Sequence, residues 1–106
     1  MRPIKLANNC QFYQDKFLPR LLHGSPGVRV FLLCLEPGQA LPPRADSEEM
    51  ACYVVEGRAE LTIGGEVFAV VAGDLAGAGP GEIRGIKAVE RCVVLWLHVS
   101  GTKQDE

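Results

Sequence analysis

The sequence predicts an all-β domain, a barrel or sandwich of short strands, on three observations. Apolar residues recur with period 2 in most of the chain, the signature of extended segments. Eight of the 12 glycines fall between Gly57 and Gly85, which punctuates that region into short pieces rather than helices. Only "CQFYQDKFLPRLL" (Cys10–Leu22) has any helical spacing, and Pro19 interrupts it, so a strand or a single short helical turn is expected there.

The strands follow in order. "VRVFLLCLEPG" (Val28–Gly38) is an apolar run rich in β-formers and ends at Pro-Gly. "MACYVVEG" (Met50–Gly57) is a second strand. "RAELTIGGEVFAVVAGD" (Arg58–Asp74) is a hairpin, with arms Ala59–Ile63 and Glu66–Val71 around Gly64-Gly65, a pair suited to the positive φ of a tight turn. "AGAGPGEIRGIKA" (Ala76–Ala88) holds short extended pieces between turns, and "RCVVLWLHV" (Arg91–Val99) is a long final strand. Residues 1–27 are expected as an N-terminal strand or extension packing on a barrel of residues 28–99, with a frayed tail over 100–106.

Composition limits the function. One ordinary globular domain of 106 residues, 47% hydrophobic and 23% charged, can bury a single core. A net charge of −2 offers no basic footprint, so nucleic acid is not an expected partner. The N-terminus "MRPIKLANNC" lacks the apolar run of a secretion signal, and no segment has the roughly 20 apolar residues of a membrane span. The expected setting is cytoplasmic. Cys10, Cys34, Cys52 and Cys92 contain no CxxC pair, which removes a structural zinc or thioredoxin-like motif. In a reducing compartment they read as four small hydrophobic residues.

Two segments carry a family resemblance. Gly38, Arg44, Asp46, Met50 and Gly57 reproduce the frame G-x5-H-x-H-x3,4-E-x6-G, and Gly73, Gly79, Gly81, Arg84 and Ala88 follow G-x5-P-x-G-x2-H-x3-N. In the second, Gly79 stands in place of the proline and Ala88 in place of the asparagine. These frames, 15 residues apart, resemble the two motifs of the cupin superfamily over roughly Val28–Val99. The resemblance implies a double-stranded β-helix, or jelly-roll, barrel. It also implies a metal ion held by two histidines and a carboxylate of the first motif and a histidine of the second.

Carried over position by position, those ligands become Arg44, Asp46, Met50 and Arg84. Arginine stays protonated and offers a cation no lone pair, and a thioether suits the usual metals of this family poorly. Only Asp46 remains a competent ligand, so neither metal nor other cofactor is expected. Glu48, Glu49 and His98 are the residues through which a displaced site could be rebuilt. A register slip that brought Glu49 inward would fit the glycine spacing less well.

Strand parity puts Cys52 and Val54 on the inward face with Met50, so the expected pocket combines Arg44, Asp46, Met50, Cys52 and Arg84. Three fillings stay open: an ion pair of Asp46 with one arginine, a small anion held by the surplus arginine, or a pocket collapsed shut. A reactive Cys52 is a weaker reading. "GAGPGEIRG" lacks the Gly-Lys-Ser/Thr ending of a phosphate loop, and no serine has a nucleophile-elbow context. Trp96 shares parity with Cys92, Val94 and His98, opposite Val93, Leu95 and Leu97, so the last strand should be covered on both faces. Together with the apolar "FLLCL" segment, this predicts a homodimer. The functional expectation is a metal-independent module that binds or senses a small polar, sugar-like or anionic metabolite. The alternative is a small cupin enzyme, dioxygenase-like or an isomerase, with a non-standard metal or acid/base site. The enzyme reading finds no base poised near neutrality in either motif.

Overall fold

The computed structural model describes residues 1–100 and consists of two antiparallel sheets packed face to face. After a short 3-10 turn, Leu6–Asn9, the strands are β1 (Arg20–Gly24), β2 (Val28–Leu35), β3 (Ala40–Ala45), β4 (Glu49–Glu56) and β5 (Arg58–Ile63). They continue with β6 (Glu66–Val71), β7 (Leu75–Ala78), β8 (Ile83–Ala88) and β9 (Cys92–Val99). One sheet has the order β1-β2-β9-β4-β7 and the other β3-β8-β5-β6. This is the all-β jelly roll that the two motif frames imply.

Several elements follow directly from their residues. Ile63 pairs with Glu66 across the two-residue turn Gly64-Gly65, where Gly64 takes a φ of 62°. Residues Met50, Cys52 and Val54 of β4 and Cys92, Val94 and Trp96 of β9 all point between the sheets, as their parity requires. Cys52 pairs with Trp96 and Met50 with His98, so His98 continues the inward face of β9 to its end. Trp96, the largest fully buried side chain, shares one core with Leu33, Leu35, Leu61 and Ile86. Each of these aliphatic side chains contributes about 1.5–3 kcal/mol by leaving water.

Two elements differ from expectation. The helical turn precedes the Cys10–Leu22 segment, and Pro19 leads straight into β1 because the residue before a proline favours extended backbone. Strand β3 carries Pro42 and Pro43, a pair that argues against a regular strand. It forms because β3 is a sheet edge and its register shifts between Leu41 and Arg44, so the prolines cost no ladder hydrogen bond. Gly85 on β8 makes room for that bulge, since a Cβ there would lie 2.6 Å from Pro43 N.

The outer face of the five-stranded sheet is covered by the chain itself. Leu6, Cys10 and Phe12 pack on Leu32, Cys34 and Val93, the face that suggested a contact with a second copy. The reading of the cysteines as four separate hydrophobes is corrected here, because Cys10 and Cys34 are joined in a disulfide while Cys52 and Cys92 are free and buried. The expected tail over 101–106 lies outside the described residues.

The disulfide spans 24 residues of sequence, a closed loop whose entropy in the unfolded chain amounts to roughly 3–4 kcal/mol. Urea unfolding with and without a dithiol reductant should show a stability difference of that size. Cys10→Ser should lose the dependence on reductant, and unfolding of the wild type that is insensitive to reductant would remove the bond from solution.

Candidate functional site

The two motif segments meet at one mouth of the barrel. Arg84, on β8, is 3% exposed, yet it makes no ion pair among the described residues. Its guanidinium donates instead to four backbone carbonyls. Nε reaches Glu82 O at 2.7 Å, Nη1 reaches Glu48 O at 2.9 Å, and Nη2 reaches Gly79 O at 2.7 Å and, less closely, Asp46 O at 3.5 Å. Two of these carbonyls lie in the connection before β4 and two in the turn before β8. Gly81, at φ 83°, lets that turn fold back so that its N–H donates to Asp46 O at 2.7 Å.

Asp46 makes no ion pair with either arginine among the described residues, which decides that alternative. Its Oδ1 accepts the Glu48 N–H at 2.9 Å in a turn of the kind aspartate favours. That hydrogen bond holds the carboxyl below its ordinary range, and His98, Arg84 and Arg44 act in the same direction. Arg44 is exposed at the mouth and pairs with no carboxylate among the described residues. It is the direct cross-strand partner of Arg84 in the β3–β8 register.

Arg44, Asp46 and Arg84 line a recess of about 70 Å³ with Leu41, Pro42, Trp96 and His98. Met50 and Cys52 are the other two residues of the expected pocket. They share the inward face, but both are 1% exposed within the sealed core and do not line the recess. Burial pushes the Cys52 thiol up to about 11, which leaves it protonated and inert at neutral pH.

Sequence reasoning set aside two residues that the structure brings in. Glu48 and His98 stand with Asp46, the ligand atoms of all three within 4.8 Å of one another. The signal was available in the parity of β9, which puts His98 on the same face as Trp96. His98 Nδ1 lies 3.4 Å from Glu48 Oε1, is buried, and makes no hydrogen bond. Glu48 is already engaged, by Arg29 Nη2 on Oε1 and by the Ser100 hydroxyl on Oε2 at 3.3 Å. Burial pushes the His98 pKa down, and Arg29 reinforces this against the opposing pull of Glu48 and Asp46. Glu49, by contrast, is exposed.

The metal implied by the fold does not fit these side chains. Of the four carried-over positions, Arg84 fills its place with a bonded cation and Met50 is sealed in the core. In the displaced trio Asp46, Glu48 and His98, one carboxylate is neutralised by Arg29 and the Arg84 charge stands close by. A divalent ion there would meet repulsion from both arginines.

A family model described as the cupin domain matches residues 31–99, and the chain belongs to that family. No curated protein matches it. Among solved structures it is similar to the TT1209 protein from Thermus thermophilus, at 20% identity and a TM-score of 0.88, covering 97% of this chain and 100% of that one. An RmlC-like cupin from Desulfovibrio desulfuricans is 24% identical with a TM-score of 0.85, covering 93% and 96%. KdgF from Halomonas sp. is 20% identical with a TM-score of 0.79, covering 92% and 93%. At these identities the likeness concerns the fold.

The geometry makes unequal demands on Arg84 and Asp46. Arg84→Met strands several carbonyls in a buried site and should cost about 3 kcal/mol or more. Asp46→Asn keeps an acceptor for the Glu48 N–H and should cost about 1 kcal/mol or less. Equal losses in chemical denaturation would restore the ion pair that the geometry lacks. A further prediction concerns pH. Because the folded state holds the His98 pKa below its ordinary 6.5, the unfolded chain takes up a proton first. The stability associated with neutral His98 is therefore complete above pH 6.5 and declines as pH falls below it towards the folded value. His98→Gln should flatten that part of a melting-temperature profile, and an unchanged slope would remove His98 as its source.

Proposed function

We propose that this cupin is a metal-independent binding or sensing module for a small anionic metabolite, recognised by Arg44 and Arg84 at the mouth of the barrel. One observation carries the reading: two arginines stand directly opposite each other across β3 and β8. Like charges so placed repel each other, and an anion between them would remove the repulsion. Among the described residues the only carboxylate lining the recess is Asp46, which leaves one positive charge in surplus while His98 is neutral. Arg84 commits four donor contacts to carbonyls, which fixes its position in advance of binding and leaves it without an ion-pair partner among the described residues. A recess of about 70 Å³ has space for little more than about two waters' volume, so it admits a head group such as a carboxylate and excludes a whole sugar.

Elements of this reading extend to the setting of the protein. We place it in the cytoplasm, a setting in which a bond such as Cys10–Cys34 is uncommon. Among the described residues no helix is long and apolar enough to cross a membrane. A homodimer remains part of the proposal, moved from the face that the N-terminal segment covers to the open edge of β7. There Leu75 is 74% exposed beside its cross-strand partner Tyr53.

A second reading rests on the Asp46, Glu48 and His98 trio, which would hold the non-standard metal of a small enzyme. One set of measurements separates the two. Acetate and formate should raise the melting temperature of the wild type in proportion to the logarithm of their concentration, by mass action on the folded state. Arg44→Met should abolish that shift and cost little stability without the anion, since Arg44 is exposed. Near-stoichiometric transition metal in protein never exposed to chelator, lost on His98→Ala, would establish the second reading instead. Sedimentation of the same sample should give a dimer, and an 11.5 kDa monomer at micromolar concentration would remove that element.

A further inference from the structure

The charged recess does not end at its own walls. Leu41, Trp96 and His98 also line a neighbouring slot of about 120 Å³, whose remaining residues are Pro19, Phe31 and Leu33. The two spaces therefore share one wall, and everything that the slot adds is apolar. Phe31 and His98 meet edge to face with ring centroids 5.7 Å apart, so the slot has an aromatic side fixed by packing. Pro19 comes from the segment that leads into β1. Its position is set by pairing of β1 with β2, the strand that also supplies Phe31 and Leu33.

On these observations we propose that the ligand is an amphipathic monocarboxylate, its head between Arg44 and Arg84 and a short hydrocarbon arm in the Phe31–Leu33–Trp96 slot. The inference rests on the anion-binding reading above and adds to it the chemical class of the ligand. Charge sets the head. Arg44 and Arg84 outnumber Asp46 by one, which matches a monoanion, while a dianion would bring its second charge against Asp46 or into the apolar slot. Volume sets the arm. A cavity of roughly 150 Å³ lined by aliphatic and aromatic side chains holds a benzene ring. A slot of about 120 Å³ thus suits a smaller group, a branched or linear alkyl chain of about three or four carbons. The joint between the two spaces is the His98 ring, which lines both.

Calorimetric titration of the full chain with acetate, propionate, butyrate, isovalerate and hexanoate tests this. Affinity should rise about fourfold for each methylene buried, up to the four-carbon arm, and level off or fall at hexanoate. Succinate and the neutral amide isovaleramide should bind far more weakly than isovalerate. In Phe31→Gln, a substitution at a half-buried position, the gain with chain length should disappear. A melting curve without ligand checks that this variant is folded, and the wild-type series decides the matter if it is not. Acids that bind equally well whatever their length would overturn the arm and leave the anion site standing. Isovaleramide binding as tightly as isovalerate would overturn the charged head. Binding by none of the acids would overturn the inference together with the reading beneath it.

Discussion

The guanidinium of Arg84 is the constraint on which the rest of the site depends. Planar and permanently charged, it presents donors in a fixed fork, and carbonyls of residues 46, 48, 79 and 82 arrange themselves around it. Those carbonyls belong to two connections far apart in sequence, which the Gly81 N–H to Asp46 O bond also joins. In a metal-binding relative of this fold, an ion would join the same two segments. Here a tethered cation joins them, through backbone groups that any sequence supplies.

Burying that charge is tolerable only because the surroundings are built for it. A lone cation in an apolar interior is prohibitively unfavourable, whereas one whose donors are satisfied by carbonyl dipoles is not. The bulge in β3 shapes the wall beside it, since Pro42 lines the recess. Pro42 and Pro43 displace the register ahead of Arg44, and Gly85 gives the bulged chain room to approach β8. Below the mouth, Trp96 and Met50 seal the interior, so that polarity is confined to the rim. The position of His98 follows from the same packing. Its strand partner is Met50, and the aromatic neighbour Phe31 holds the ring where its Nδ1 faces an already occupied Glu48 carboxylate.

Much of this was legible in the sequence because it rests on local rules. Period 2 located β2, β4 and β9, and Gly64-Gly65 located the hairpin, since alternation and turn chemistry act over a few residues. That Arg44, Asp46 and Arg84 lie near one another followed instead from the resemblance of the glycine frames to the two cupin motifs, which meet at one site. What parity could not reveal was depth. It put Met50 and Cys52 on the correct face without saying that the core closes over them. It also could not foresee that Arg84 would satisfy itself on main-chain oxygens, because every residue carries one and none is marked in the sequence. The Cys10–Cys34 pairing escaped for a third reason. It joins residues 24 positions apart through a segment with no regular structure of its own, and spacing alone does not pair cysteines.

Exchanging a bound ion for an arginine changes what the mouth of the barrel can select. A metal ion presents open coordination positions to lone pairs and can be lost or replaced, so its site remains a site for cations. An arginine cannot leave, and once its donors are spent on carbonyls its field acts on whatever enters the recess. Arg44 stands across the strand pair and adds to that field, while Asp46, fixed by the Glu48 N–H, offsets only part of it. Histidines at these positions would have released or taken up protons near neutrality, whereas an arginine keeps its charge, so the proposed hold on an anion would not depend on their protonation. Among the described residues lining the recess, His98 is the one whose ordinary titration falls near neutrality. Its protonation would add charge of the same sign, which ties any acid sensitivity of the site to tighter hold on an anion rather than to its release.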